Sequence, residues 1–583
     1  MKELNMNFIK LLSMKRNICF VILVLGFSFI FSIDTLGQNS KMQTEKIFQL
    51  PLEKRGDPYL PNAHLRKKVS PSYKYNKTSI KKSKTSTIVT TQVNVDANGF
   101  NILGDAANEP SIAVSPLNAN IMAIGWRQFD NVLSNFRQAG WAYTSDGGQS
   151  WTFPGVIDSG IFRSDPVLDF DSDGNFYFNS LTIDPDTNYL CTVYKSTSGG
   201  ALWDAGASAG GGDKQWMAID RGTSIGNGNI YVDWSQYSSS CAPGFFSRST
   251  DSGSSFENCT QLNCNPDLGT ITVSTDGKLY LAGRDFVSGT GLIVTKSLNA
   301  KTPSSVIAWE TPVPVFMDGK FQFAPINPSG LLGQAYIDVY PSNISGQENV
   351  YLMATLFRVS NMDPGDVMFS KSSDDGISWS APIRLNDDTS ITNTQWLGTM
   401  SVAPNGRIDV IWLDTRNAPL GSDSSALYYT FSTDQGNTWS VNEQISASFD
   451  PHVGYPNQSK MGDYFDMVSD NVGAHLAWTN TFNGEQDVYY SYITPNVPNG
   501  IIENADNFNF SIFPNPTNGK FQISSEARIN TIEIFNAVGE KVFSISINQK
   551  KYEVDLTSHS SGIYILKITN QDKTVRVKKL IKE

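Results

Sequence analysis

The sequence is poor in the side chains that most often carry chemistry. It has only 4 histidines and 5 cysteines in 583 residues. The histidines, His64, His452, His475 and His559, are scattered, so neither a catalytic triad nor a zinc cluster finds support. No CxxC pair or His-rich spacing occurs, and no metal site is expected from ligand spacing. Charged residues make up only 17% of the chain, and acids exceed bases to give a net charge of −11. With no dominant basic field, nucleic acid is not expected as a partner. A sustained helical period is missing. After the first 38 residues no segment is apolar enough to cross a bilayer as a helix.

Hydrophobic residues at 40% and aromatics at 11% are enough to fill a core. Within the first 38 residues come Lys15 and Arg16, an apolar stretch "ICFVILVLGFSFIFSI", and then "DTLGQ". This order predicts a cleaved secretory signal over 1–38, because the apolar stretch falls short of the roughly 20 residues a spanning helix needs. Export permits disulfides among Cys191, Cys241, Cys259 and Cys264. Cys259 and Cys264 in "CTQLNC" could close a small loop, and Cys241 could compete for either. Residues 39–96 are basic and polar and are expected to be a flexible leader. A short linker is expected at 496–506, before a C-terminal module at 507–583.

Between residues 97 and 495 one pattern recurs. "TSDGGQSW" from Thr144, "STDSGSSF" from Ser249, "SSDDGISW" from Ser372 and "STDQGNTW" from Ser432 share [ST]-x-D-x-G-x-x-[WF]. "STSGGALW" is a variant in which Ser198 replaces the aspartate. Each box closes a unit of three strand-like segments, such as "WLGTMSVAPNGRIDVIWLDTR" before the box at Ser432. The Ser or Thr and the Asp can hold a hairpin turn through backbone amides, the Gly takes a backbone geometry other residues resist, and the Trp packs between sheets. The box therefore reads as structural. Seven such units predict an all-β fold, a seven-bladed β-propeller with Asp-box turns. A strand from "TTQVNV" is expected to complete the last blade.

In such blades the boxes mark the bottom, and the opposite mouth is built from residues before each first strand and after each second strand. Those positions hold Glu109, Asp165, Asp213 with Lys214 and Gln215, Asp267, Asp463 and Tyr464, then Arg127, Asp233 with Gln236, Arg284 with Asp285, and Arg416. Paired carboxylates can serve as acid and as base or nucleophile in glycoside hydrolysis. Arginine forks can hold an acidic sugar's carboxylate. No cofactor is expected. The turns "DFDSDGN" and "NMDPGD" offer oxygen ligands of the kind calcium takes, although the first is more simply a strand-connecting turn.

The boxes and the propeller pattern resemble the sialidase-like BNR-repeat superfamily over about 400 residues. The resemblance implies a secreted, glycan-directed glycoside hydrolase that acts as a monomer. In its terms Arg127, Arg284 and Arg416 mimic the arginine triad, Tyr464 the nucleophile, Glu109 its partner and Asp165 the acid/base, with Asp463 beside them. Asp213, Gln215 and Asp267 complete the binding set. The sequence departs from true sialidases in having seven units rather than six blades and in lacking the early Arg-Ile-Pro signature; the nearest string is "FRSDP". The alternatives are a non-catalytic glycan- or protein-binding adhesin and, third, a polysaccharide lyase, which needs His452 or His475 near Tyr464.

The C-terminal module resembles the type A sorting domain of the type IX secretion system in Bacteroidetes. Its landmarks are Pro514, Asn515 and Pro516, then Asn536 to Gly539, then Gly562 to Tyr564. The resemblance implies an immunoglobulin-like β-sandwich, dealings with that export machinery, and passage through the periplasm and outer membrane to the surface or the medium.

Overall fold

The computed structural model describes residues 58–59, 86–285, 291–322, 324–496, 510–571 and 575–583. The signal stretch, most of the leader and nearly all of the 496–506 linker lie outside them. By its internal contacts the chain divides after Pro51, and the first unit falls wholly outside the described residues.

Residues 86–495 form seven antiparallel sheets in chain order, at 106–157, 164–208, 216–249, 266–315, 319–384, 395–444 and 466–495. Within each sheet, strands that follow one another in the chain pair as hairpins, except that Pro266–Asp267 and Ile271–Val273 both pair with Leu279–Asp285, and Gly319–Lys320 and Ala335–Pro341 both pair with Glu348–Arg358. The inner strands Ala106–Val114, Ser164–Phe170, Trp216–Ile219, Ile271–Val273, Ala335–Pro341, Gln395–Val402 and Asp466–Ser469 each contact the next, and the last touches the first. The sheets thus follow one another in a closed circuit.

The last sheet takes its outer strand from far away. Ser86–Gln92 pairs with Asp487–Pro495, from Ser86 against Pro495 to Gln92 against Tyr489. This corrects the leader boundary: the globular region reaches back to Ser86 rather than starting at residue 97. The alternating burial of "STIV" followed by buried "TTQ" is what a strand with one face on the core requires.

Backbone bonds between inner strands are isolated, such as Ala335 N–H to the Leu268 carbonyl (2.9 Å), and side chains satisfy further edge groups. Leu168 N–H donates to Ser111 Oγ (2.8 Å), Ile219 N–H to Asp169 Oδ2 (2.9 Å), and Ile337 N–H to Thr270 Oγ1 (3.0 Å). Val402 N–H donates to Asp338 Oδ2 (2.8 Å), Ser469 N–H to Ser401 Oγ (3.0 Å), and Ile112 N–H to Asp466 Oδ2 (3.0 Å). Each bond runs from one sheet to its neighbour, and the last returns to the first.

The four repeated turns behave as their chemistry predicts. Ser432 Oγ accepts from Gly436 N–H (2.9 Å) and donates to Asp434, whose carboxylate takes Thr438 N–H (2.8 Å) and Thr438 Oγ1 (2.6 Å). The turns at Thr144, Ser249 and Ser372 repeat this set. In the variant, Ser198 Oγ replaces the carboxylate and accepts from Leu202 N–H at 2.9 Å. Trp439 of the sixth sheet meets Phe369 of the fifth edge-on at 5.0 Å, and Trp151 of the first meets Tyr490 of the seventh at 5.5 Å.

In the C-terminal region, Phe510–Phe513, Lys520–Phe535, Lys541–Asp555, Gly562–Asn570 and Val575–Lys582 are hydrogen-bonded into one connected sheet rather than two separate ones. The long strand Lys520–Phe535 joins both halves, and its register shifts between Ser524 and Ile529 let it turn around a core of Phe521, Ile532, Leu566 and Leu580.

Candidate functional site

The chain enters the inner strands through a repeated bulge. Glu109, Asp165, Lys214, Leu268 and Leu397 each take positive φ (51°, 46°, 61°, 57° and 49°), and Gly462 takes 111° at the matching step. Ladder register slips there, between Asn108 and Ser111 and between Ser164 and Val167. Non-glycine residues in this region carry strain of order 1–3 kcal/mol each, which surrounding structure must over-determine. The bulges bring charged side chains of neighbouring sheets side by side.

Two lysines organise the resulting cluster. Lys214 Nζ lies 2.7 Å from Asp463 Oδ2 and 3.7 Å from both Asp165 Oδ2 and Asp213 Oδ1. Lys460 Nζ lies 2.7 Å from the same Asp463 oxygen and 2.8 Å from Glu109 Oε1. Arg127 Nε stands 3.2 Å from Glu109 and donates to Asn108 Oδ1 at 2.9 Å. Gln215 donates to the Asp165 carbonyl. The cluster is sealed: Glu109 and Arg127 are 0% exposed and Asp463 is 2% exposed.

The cluster's electrostatics follow from this packing. Burial would raise the Asp165 carboxyl, but Lys214, Lys460 and Arg127 outweigh it and hold it at about 2. Asp463, shared by both lysines, is also held well below the usual range against its burial. Burial wins at Asp213, which is pushed up to about 7 although Lys214 opposes it. Burial also raises Glu109 against Arg127 and Lys460. Tyr464 is raised by burial and by the charges of Glu109 and Asp165, and its hydroxyl donates to the Pro166 carbonyl at 2.7 Å. A tyrosine nucleophile needs the opposite environment.

The chain itself covers the expected mouth. Leu331 N–H donates to Asp463 Oδ1 (2.9 Å), Asn327 Nδ2 to the Gly462 carbonyl (2.8 Å), and Ser329 N–H to the Ser459 carbonyl (3.0 Å). The segment carrying Asn327 to Leu331 enters the fifth sheet and roofs the cluster. On the other side, Trp216 meets Tyr464 edge-on at 5.2 Å and Tyr336 at 6.1 Å. Trp216 and Tyr336 also line a cavity of about 560 Å³ on the axis. That cavity opens at the box end: Val114, which lines it, pairs with Met122, and Met122 pairs with Thr144 of the first box. Of its carboxylates, Asp169, Asp338 and Asp466 are committed to the inter-sheet bonds, and Asp470 meets His475.

The expected site residues therefore divide. Glu109, Arg127, Asp165, Asp213, Gln215, Asp463 and Tyr464 come together. Arg284 instead pairs with Asp267 inside the fourth sheet at 2.8 Å. Arg416 pairs with Asp414 of the sixth (2.9 Å) and with Asp387 in the connection from the fifth (2.6 Å), and lies over the Tyr428 ring. The three arginines do not form one carboxylate clamp. His475 bonds Tyr490 and Asp470, and His452 meets Ile326 and Tyr455, so neither adjoins the Tyr464 hydroxyl. Asp171 of "DFDSDGN" spends its carboxylate on Asp173 and Asn175 amides and on Tyr177. Lys460 was not foreseen, although its place three residues before Asp463 was a usable signal. Arg137 was also missed; it is fully buried and lowered to about 10 by burial, with Asp165 and Asp213 opposing.

Cys241 bonds Cys259, leaving Cys191 and Cys264 free. Of the pairings open from sequence, Cys241 wins, because Thr260 N–H donates to Phe246 and folds that loop back beside residue 241.

At the C-terminus, Asn515 Nδ2 donates to the Lys579 carbonyl (2.8 Å) and its Oδ1 accepts from Ile581 N–H (2.9 Å), so the Pro-Asn-Pro landmark is pinned to the last strand. Gly539 closes the Asn536 turn at φ +84°. The secretion system C-terminal sorting domain family matches residues 511–583. These residues are a sorting domain. The sorting domain directs the chain through type IX secretion to the cell surface or extracellular space. Among described residues no helix is long and apolar enough to cross a membrane.

No curated protein matches the sequence. Among solved structures, a protein of unknown function from Dyadobacter fermentans is similar at 14% identity and TM-score 0.39, covering 70% of this chain and 98% of its own. A Hadza microbial sialidase is similar at 12% identity and TM-score 0.35, covering 64% and 76%. The endosialidase of phage phi92 is similar at 10% identity and TM-score 0.38, covering 85% and 87%. At these TM-scores the likenesses assign neither fold nor chemistry to the region before the sorting domain.

Proposed function

We propose that residues 86–495 are a seven-bladed β-propeller with Asp-box turns, and that the exported chain is a carbohydrate-binding protein that does not hydrolyse glycans at its central charged cluster. The observation that carries this is the pairing of every candidate acid or base. Glu109 and Asp463 share Lys460, and Asp165 and Asp463 share Lys214. A hydrolase of this class needs two carboxylates that reach the glycosidic bond, roughly 5–9.5 Å apart, with neither locked between sheets. Here each is locked and none meets solvent. The box repeats and their superfamily resemblance support the glycan as partner.

The test is a glycan-array and reporter-sugar screen of the secreted chain. Binding without turnover is expected. Turnover by the wild type that disappears in Asp165→Ala and Tyr464→Phe, both still folded, would overturn the reading. One observation favours the hydrolase alternative: Asp213 and Asp165 sit on one lysine with their carboxyls held near 7 and 2, a split that acid/base pairs use. That alternative requires the Asn327–Leu331 roof to lift, and it predicts that Asp213→Asn abolishes turnover.

A further inference from the structure

The cavity on the axis lies apart from the sealed cluster and opens at the box end. Its volume of about 560 Å³ falls in the range of small-molecule sites. Inner strands of all seven sheets line it. Asp169, Thr272, Asp338, Val402, Asp466 and Val468 are only half-buried there, so ligand atoms can reach them.

The carboxylates on this wall have capacity left after their inter-sheet bonds. Asp338 accepts three hydrogen bonds, from the Val339 and Val402 amides (2.8 Å each) and from Thr272 Oγ1 (3.2 Å). Asp466 also accepts three, from the Met467 amide (2.8 Å), the Ile112 amide (3.0 Å) and Ser111 Oγ (2.5 Å). A carboxylate has about four acceptor sites, which leaves roughly one on each. Neither forms an ion pair with any described residue. The one basic side chain on the lining, Arg221, stands at the mouth and is already paired with Asp169. Burial raises both carboxyls, Asp466 to about 7, and a cation beside them would offset that cost.

The inner end of the cavity supplies a donor. Trp216 lines it and is 8% exposed. Among the described residues nothing accepts from its indole N–H. The indole nitrogens of the box residues Trp151 and Trp439 are closed off by the protein, whereas Trp216 keeps its remaining surface in the cavity.

These groups together select the ligand. No three acids among the described residues converge on a metal position, and a hard cation needs six or more oxygens around it. Separated carboxylates on the wall suit ammonium groups carried on an extended molecule. The free indole N–H asks for an acceptor on that same molecule, such as a hydroxyl oxygen.

We propose that the axial cavity binds a saccharide bearing primary amines, with ammonium groups donating to Asp338 and Asp466 and a hydroxyl oxygen accepting from Trp216. The inference rests on the carbohydrate-binding reading above and adds the ligand's charge and its place, at the box end of the axis.

The experiment is calorimetric titration of the full secreted chain with three disaccharides that differ at one substituent. These are the β1,4-linked glucosamine dimer with its amines protonated, its N-acetylated counterpart, and cellobiose. The glucosamine dimer is expected to bind at least tenfold more tightly than the other two. Asp338→Asn should weaken it about tenfold or more, the loss of a charge-assisted bond. Thr272→Lys, which places an ammonium beside Asp338, should abolish it. Arg221→Ala should tighten it about twofold to fivefold by removing a competing cation at the mouth. The Arg221 side chain is 41% exposed, so this variant should fold even if a wall substitution does not. Leu420→Ala, far out on an exposed loop, should change nothing, and equal melting temperatures are the control. Equal or tighter binding of cellobiose overturns the charge argument and keeps the glycan reading. Glucosamine-dimer binding that ignores both Arg221→Ala and Asp338→Asn overturns the site. Binding of none of the three overturns the inference, while the glycan array separately decides the reading it rests on.

Discussion

At the scale of single residues, the central cluster is a balance between burial and pairing. Asp463 is its hinge, because one oxygen serves Lys214, which lies 249 positions away in the chain, and Lys460. Removing its charge leaves two buried ammonium groups short of a partner. Asp463→Asn should therefore cost about 3–5 kcal/mol of stability, read as a lower urea midpoint at unchanged slope. Loss of less than about 1 kcal/mol would mean that the lysines reach water. Titration separates the carboxylates by sign. Asp213, Asp466 and Asp487 are each raised to about 7, and Asp233 to about 8, chiefly by burial. An unfolded aspartate releases its proton near pH ~4. Between pH ~4 and 7 the folded chain thus holds protons that the unfolded chain gives up, and stability falls as pH rises through that window. Asp165, held at about 2, acts oppositely: its contribution is present above pH ~4 and is lost as pH falls toward 2. The melting temperature should be higher at pH 5 than at pH 8; a flat or rising profile between them would show that these carboxyls are hydrated.

At the scale of elements, the box turn is held twice, by its own hydrogen bonds and by what its glycine touches. Gly436 has φ +73°, and a Cβ there would stand 2.8 Å from the Phe369 ring of the preceding sheet. Gly421 has φ +78° with nothing within 4 Å. Both Gly→Ala changes carry the backbone penalty of about 1–2 kcal/mol, but only Gly436→Ala adds a clash between sheets. Gly436→Ala should lower the unfolding free energy more than Gly421→Ala by about 1–3 kcal/mol. Equal losses would mean that the box is a local turn with no part in sheet packing. The turns were legible because their chemistry is local: Ser432, Asp434, Gly436 and Trp439 lie within eight residues and their bonds run among themselves and the intervening amides. The closing strand expected from "TTQVNV" pairs in the last sheet but lies a few residues earlier, at Ser86–Gln92, because its neighbours in sequence are basic and polar, while its pairing partner lies some 400 residues away.

At the scale of the whole molecule, the sorting domain and the region before it have separate tasks. Deleting residues 511–583 should leave the chain inside the cell envelope, so that fractionation finds it in the periplasm instead of at the surface or in the medium. Surface display of the truncated chain would show that export is read elsewhere. The Cys241–Cys259 bond is consistent with that destination. A bridge across a sequence separation of 18 is worth about 3 kcal/mol.

The sequence alone determined the strand-and-turn repeat, the all-β class, the export signal at the C-terminus and the fact that acids collect where inner strands begin. These follow from short-range rules: turn residues choose their own geometry, and a period of two buries one face of a strand. Only the tertiary structure decided what those acids do. Lys214 and Lys460 reach them from different sheets, Asn327 to Leu331 closes over them, and Arg284 and Arg416 stay with local partners. Closure of seven sheets sets which distant side chains meet, and burial then makes a charge either paired or costly. Apart from Lys460 three residues before Asp463, that choice has no trace in the spacing of residues along the chain.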